Sequence, residues 1–247
     1  MKIAMPSPAE LVVADLAPTG VLRASINLGN PVLAAGPADA PTGVTVDIAR
    51  EIAARLDVPV QFVCFDAARK SFEALRAGEV DLGFLAVEPA RAADVVFTAP
   101  YAIIEAVFVV PDGSDIATLA DVDRPGVRIG VKEGSAYDLF LTRTLQRAEV
   151  VRGPEGIDVF REHGLEAGAG IRQPVLDAMT RHVGLRVIDE RFMEIRQALA
   201  ISRSRADASG DFLADCVENL KATGFVADAL RRAGRTDASV APLAVRP

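Results

Sequence analysis

Between Val21 and Leu85, short apolar runs alternate with stretches whose apolar residues recur at helical spacing, and that alternation leaves few folds open. Val21–Asn27 and Val58–Phe65 have the length and residue types of buried strands. Between them, Ile48, Ile52, Ala53 and Leu56 share one face of a helix expected to be capped near Asp47. Phe72 and Leu75 mark a second helix over Ala67–Ala77, and Val80–Leu85 follows as a third strand after the Gly78-Glu79 turn. Strand, helix, strand, helix, strand implies parallel strands with right-handed crossovers, hence an α/β fold.

The second half continues in the same manner. Ala102–Val110 is a long apolar run holding a single acid, Glu105, and suits a strand that passes from one body into another. A short helix at Leu119–Val122 and a strand at Val127–Val131 come next. Lys132-Glu133-Gly134-Ser135 then leads into a helix from Ala136 to about Arg147. Ser135 stands at the N-cap position, where a helix carries free N–H groups that either the cap or an anion can satisfy. Ile157–His163 is a further helix, and Leu185–Ile188 and Gln197–Ile201 are strands. Ala208–Thr223 is a long amphipathic helix stopped by Gly224, and Phe225 opens a last one. Residues 1–19, rich in Ala and Pro, and the tail after Gly234 are expected to be loosely ordered. No internal repeat is evident.

Half of the 247 residues are hydrophobic, enough to pack one domain or two. The formal charge of −7 argues against a nucleic-acid or anionic-membrane partner. Cys64 and Cys216 form no CxxC or metal pattern and are expected as buried free thiols, with a disulfide as the alternative. His163 and His182 lack neighbours at ligand spacing, so neither a metal nor a cofactor is expected. After Met1-Lys2, Pro6, Pro8, Glu10 and Asp15 interrupt any export signal. As written the chain is expected to be cytoplasmic, or periplasmic if a signal was removed or lies upstream. No segment approaches the roughly 20 apolar residues that span a bilayer. There is no nucleophile triad, phosphate-binding loop or zinc motif, so no catalytic residue is assigned.

The stretch from Val80 to Tyr101 carries the functional signal. A buried strand ends at Leu85-Ala86, Pro89 suits the start of a short helix, and Arg91 lies just inside it. A guanidinium there can either grip a carboxylate through two parallel charge-assisted hydrogen bonds or simply be solvated. Asp81, Arg91 and Phe97-Thr98-Ala99-Pro100-Tyr101 resemble the signature of the family 3 extracellular solute-binding proteins, the amino-acid receptors of ABC importers. The resemblance extends over roughly Gly20 to Gly234.

That resemblance implies a two-lobe, periplasmic-binding-protein-like (type II) fold, each lobe a mostly parallel sheet flanked by helices, with two crossing strands as hinge. Residues 20–107 and 201–247 would form lobe 1, and 108–200 lobe 2. It implies a small carboxylate-bearing ligand held between closing lobes: Arg91 as carboxylate anchor, Asn27, Asn30 and the Leu85-Ala86 backbone beside it, and Ser135, Arg172 and Gln173 from lobe 2. The family's acid for the ligand's amino group is missing, since Ile171-Arg172 stands there. Arg172 would attract a second anion, and Glu105 is the substitute acid. The partners implied are a small anionic or zwitterionic solute and an ABC permease, with the protein a monomer. A cytoplasmic ligand sensor of the same fold, or a dehydratase-like enzyme of cyclic organic acids, are the alternatives.

Overall fold

A computed structural model describes residues 7–205, 207–235 and 237–244. The chain divides into two compact units, Met1–Ala102 with Arg196–Pro247, and Ile103–Ile195.

In unit 1, β1 (Leu22–Asn27) pairs in parallel with β2 (Val60–Phe65), Leu22 opposite Val60 and Asn27 opposite Phe65. Helix α2 (Val44–Arg55) forms the crossover and buries Val44, Val46, Ile48, Ala49 and Ile52. Its start lies ahead of the expected cap: Gly43 is the N-cap, and Asp47 sits in the first turn, where its charge favours the positive end of the helix. Helix α3 (Ala68–Arg76) returns to β3 (Gly83–Ala86), which is buried throughout and lies parallel to β1 through the Ala24–Leu82 bridge. Helix α4 (Pro89–Ala92) has Pro89 in its first turn, where the missing N–H costs nothing.

Beyond it, β4 (Val95–Pro111) is one continuous strand of 17 residues, starting well ahead of the apolar run Ala102–Val110. Pro100 is tolerated because a strand loses only one ladder donor at proline. Two strands, β4 and β9 (Met193–Ser202), run through both units. The change-over falls after Ala102 and after Ile195, earlier on each strand than the sequence reading placed it. In unit 1, β9 pairs antiparallel with β3, Ala86 opposite Gln197. The apolar centre here is Ala74, Leu75, Val80, Leu85, Val95 and Ala200.

The ends of unit 1 differ from expectation. Ser7 and Glu10 form a capping box for α1 (Pro8–Leu16), which packs on α9 (Asp207–Ala222) with Leu16 fully buried. The N-terminal segment is thus a docked helix from residue 8 on, and residues 1–6 lie outside the described residues. The tail is also held. After α10 (Phe225–Arg232), β10 (Ser239–Val240) pairs with β4, and the buried Lys221 ammonium donates to the Pro242 carbonyl at 2.9 Å.

Unit 2 repeats the plan. Strand β5 (Arg128–Lys132) pairs in parallel with β6 (Glu149–Gly153) and with β7 (Ala167–Ile171), and β7 pairs antiparallel with β4. Helices α6 (Ala136–Thr144) and α7 (Gly156–Glu162) make the crossovers, after the short α5 (Leu119–Val122). A Cβ on Gly156 would stand 2.7 Å from the Ala169 carbonyl oxygen, so α7 approaches the sheet as closely as it does only with glycine there. Helix α8 (Arg172–Arg181) and β8 (Leu185–Val187) complete the unit. Strands β6 and β7 and helix α8 were not expected from the sequence. The unit has its own core of Val107, Val109, Val159, Phe160, Leu165 and Val175.

Both units therefore carry three parallel strands in the order second-first-third, then one antiparallel strand. Each also carries the same tie. In unit 1, Arg23 on β1 donates from its backbone N, Nε and Nη2 to Asp81, just before β3, and its guanidinium reaches the Gly78 carbonyl. In unit 2, Arg128 on β5 does the same to Glu166, just before β7, and reaches the Gly164 carbonyl.

Cys64 and Cys216 are free thiols; Cys216 is buried, but Cys64 is only partly so. Among the described residues no helix is long and apolar enough to cross a membrane.

Candidate functional site

Unit 1 assembles its polar groups at the carboxyl ends of β1 and β3, which lie at one end of a parallel sheet, the usual place for ligands in α/β folds. Arg91 is 2 % exposed, and its Nη1 donates to the Ala86 carbonyl at 3.2 Å. Arg91 is thus bonded to the Leu85-Ala86 segment and is not a solvated arginine.

Its neighbour is a residue the sequence reading passed over. Glu88 is also 2 % exposed and is the N-cap of α4, with its carbonyl accepting from the Arg91 N–H at 3.0 Å. Burial lowers the Arg91 pKa to about 10, while the Glu88 carboxylate works to keep the charge in place. A signal for Glu88 existed in the sequence. Glu is a poor N-cap compared with Ser, Thr, Asp or Asn, and the Glu88 side chain makes no cap hydrogen bond.

The two asparagines separate. Asn27 turns its Oδ1 to the Gly29 N–H at 3.1 Å and closes its own turn. Asn30 is 7 % exposed, and its Oδ1 is buried with no hydrogen-bond partner among the described residues. A buried acceptor without a donor costs free energy, so it marks a place where an outside donor would be welcome. Gln197, opposite Ala86, is a further buried polar residue that the sequence did not flag.

The remaining signature residues are structural. Asp81 is fully buried and takes Arg205 Nη2 at 2.5 Å besides Arg23. Thr98 Oγ1 accepts from the Leu199 N–H at 3.2 Å, joining β4 to β9. Tyr101 is fully buried, edge-on to Phe84 with ring centroids 6.1 Å apart.

In unit 2, Glu105 and Arg172 meet. Glu105 Oε2 accepts from Arg172 Nε at 2.7 Å and its Oε1 from Arg191 Nη1 at 3.0 Å. Burial would raise the Glu105 pKa, but the two guanidinium groups outweigh it and hold the carboxyl below its ordinary range. Arg172 also donates to the Asp189 carbonyl at 2.6 Å, and Arg191 to Glu194 at 2.8 Å. Both residues weighed as ligand charges are therefore engaged with each other. Ser135 Oγ accepts from the Asp138 N–H at 3.1 Å, an ordinary N-cap, while Asp138 takes the Gly134 N–H and Arg152. Gln173 bonds Asp177 on its own helix at 2.7 Å. No cluster of three His, Cys, Asp or Glu suited to a metal occurs among the described residues.

Residues 27–235 match the family model of the bacterial extracellular solute-binding proteins, family 3. No curated protein matches by sequence. Among solved structures, the solute receptor for L-cysteine of Neisseria gonorrhoeae is similar at 22% identity and a TM-score of 0.73, covering 90% of this chain and 92% of that one. A mutant of ArgBP from T. maritima is similar at 20% identity and a TM-score of 0.72, covering 90% and 98%. The ancestral amino-acid-binding protein AncCDT-1, a precursor of cyclohexadienyl dehydratase, is similar at 19% identity and a TM-score of 0.71, covering 89% and 97%. At these identities the structures speak for the fold.

Proposed function

Since the chain belongs to the bacterial extracellular solute-binding proteins of family 3, we propose that it captures a small carboxylate-bearing solute, an amino acid or related organic acid, as the substrate-binding component of an ABC-type transporter. The observation that carries this reading is Arg91, a buried guanidinium at the carboxyl end of β3 in the family's signature stretch. A buried arginine offers a carboxylate two parallel hydrogen bonds in weak competition with water. Asn30 and the Leu85-Ala86 backbone are the accompanying contacts in this unit. Two of the similar structures are described as an ancestral arginine-binding protein bound to arginine and a solute receptor for L-cysteine, which supports a small carboxylate-bearing ligand. The protein acts as a binder that releases its ligand unchanged.

The test is a thermal-shift screen of the L-amino acids and of simple mono- and dicarboxylates, followed by calorimetry on the hits. A solute at a hundredfold its dissociation constant stabilises the native state by about 2.7 kcal/mol, a readily seen shift. Arg91→Lys, which keeps the charge but not the planar fork, is expected to weaken the best hit by about tenfold or more. If no probe raises the melting temperature, or the folded Arg91→Lys protein binds like the wild type, the assignment is wrong.

A further inference from the structure

A helix of four residues cannot hold itself. Forming a single turn fixes several backbone dihedrals for very few hydrogen bonds, so α4 depends on groups outside it. Arg91, the anchor assigned to the ligand, lies on that turn. We propose that Arg203, the residue after β9, is the positioning residue for this anchor: it clamps the exit of α4 and so holds Arg91 in place for a carboxylate. The proposal rests on the solute-binding reading above and adds the residue that preorganises its site.

Three observations lead to it. The first is how the chain leaves α4. The four successive carbonyls of Ala92, Ala93, Asp94 and Val95 all accept from Arg203. Its backbone N–H meets Asp94 at 3.0 Å, its Nε meets Ala93 at 3.1 Å, and its Nη2 serves Ala92 and, at 3.3 Å, Val95. Carbonyls at a helix end have no partner within the helix, and a cation there also faces the negative end of the helix dipole. Reaching several of them at once takes the flat, many-donor fork of an arginine.

The second is the other end of the same segment. Arg205, two residues on, donates from Nη2 to Asp81 at 2.5 Å, where the chain enters β3. Between these ties β3 pairs with β9, Gly83 opposite Ala200 and Ala86 opposite Gln197, and the Val87 N–H donates to the Arg196 carbonyl at 2.9 Å. The segment 81–95 is thus laid along β9 and the turn after it, and Arg203 fastens its last four carbonyls.

The third is exposure. Arg203 is exposed while Arg91 is buried. Water can take the carbonyls that a missing Arg203 would leave, so the fold loses little. What is lost is the order of the turn. A disordered site binds more weakly, because part of the binding free energy goes into ordering it.

The experiment pairs amide hydrogen exchange on the ligand-free full chain with calorimetry, the probe being the strongest binder among L-arginine, L-cysteine, L-glutamate, glutarate and succinate. The amides of Arg91, Ala92 and Asp94 are bonded within the turn, to the carbonyls of Glu88, Glu88 and Arg91. In Arg203→Met they are expected to exchange about tenfold faster than in the wild type, with the unit 2 amides unchanged. The probe is expected to bind about tenfold more weakly. Arg203→Lys, which restores the charge but not the fork, is expected to lie between the two. Arg128→Met, which breaks the corresponding tie in unit 2, is the control and is expected to leave the affinity as it was. If folded Arg203→Met binds the probe like the wild type, or if Arg128→Met weakens it equally, Arg203 does not position the anchor while the solute-binding reading stands. If the wild type binds no probe, that reading falls and exchange alone judges the clamp: unchanged rates at the three amides overturn it, and faster rates keep Arg203 as the residue that orders the turn. Should Arg203→Met not fold, Arg203→Lys decides by the same two readouts.

Discussion

A buried Arg and a buried Glu on one turn constrain each other before any ligand arrives. Taking a charged partner away from a desolvated carboxylate is expensive, commonly about 3–5 kcal/mol, whereas replacing both charges by neutral groups is often nearly harmless. Arg91→Met is therefore expected to lower unfolding stability by more than Glu88→Gln does, and the double variant to lose less than the sum of the two. Chemical denaturation of the four proteins measures this; strict additivity would show that the two charges do not interact. The same residues show where sequence reading stopped. Arg91 was singled out because an arginine after a buried strand, inside a stretch that resembles the family signature, can grip a carboxylate. Its burial was not legible, since burial depends on tertiary packing around α4 that the local sequence does not show. Glu88 went unmarked, because position in sequence does not reveal which side chains are desolvated. Glu105 and Arg172 were each singled out, yet their pairing was invisible: 67 positions separate them, and only the β4–β7 ladder brings them together.

Strands and helices were more legible than the joints between them. Apolar runs and helical periodicity located β1, β2, α3, α9 and α10 to within a few residues. They missed β6, where Glu149 and Arg152 dilute the apolar signal, β7, whose Ala-Gly-Ala-Gly lacks large apolar residues, and α8, whose opening Arg-Gln-Pro resembles a loop. The Arg–acid tie in each unit joins a first strand to a third, and it too escaped notice, because one unit uses Asp81 and the other Glu166. The tie in unit 2 has a pH signature. The Arg128 guanidinium and backbone N–H hold the Glu166 pKa at about 2, below the 4.5 of an unperturbed glutamate. A carboxyl whose native pKa is depressed adds stability that is complete above its unfolded pKa and is lost as pH falls through the native one. Wild-type stability is thus expected to decline from about pH 4.5 toward pH 2 partly through this group. In Arg128→Met that share of the decline should shrink, since only the backbone N–H bonds remain to hold the carboxylate, leaving a shallower slope. Denaturant melts at a series of acid pH values read the difference, and parallel slopes would remove Glu166 from the account. Both side chains are more than a third exposed, so screening keeps the effect modest.

At the scale of the whole chain, the absence of a visible sequence repeat coexists with a repeated plan. Two units, each with three parallel strands and one antiparallel strand, share topology and not residues, since any apolar, β-prone segment can fill a strand slot. One of them is uninterrupted in sequence. Unit 2 runs from Ile103 to Ile195 without leaving its own contacts, within the size range of domains that fold alone. It has a core drawn from β4, α7, α8 and Leu165 ahead of β7, and its ion pairs among Glu105, Arg172, Arg191 and Glu194 are internal. Unit 1 is discontinuous and must close a loop across that whole insertion, at an entropic cost that grows only slowly with length. The segment 103–195, produced by itself, is therefore expected to show a cooperative thermal transition by circular dichroism and dispersed amide resonances. In that fragment Arg172→Met should lower the midpoint, because it strips one of two cations from a half-buried Glu105. A gradual, non-cooperative melt of the wild-type fragment would mean that β4 and β9 cannot complete the unit when cut at Ile103 and Ile195, and that the insertion folds only as part of the full chain.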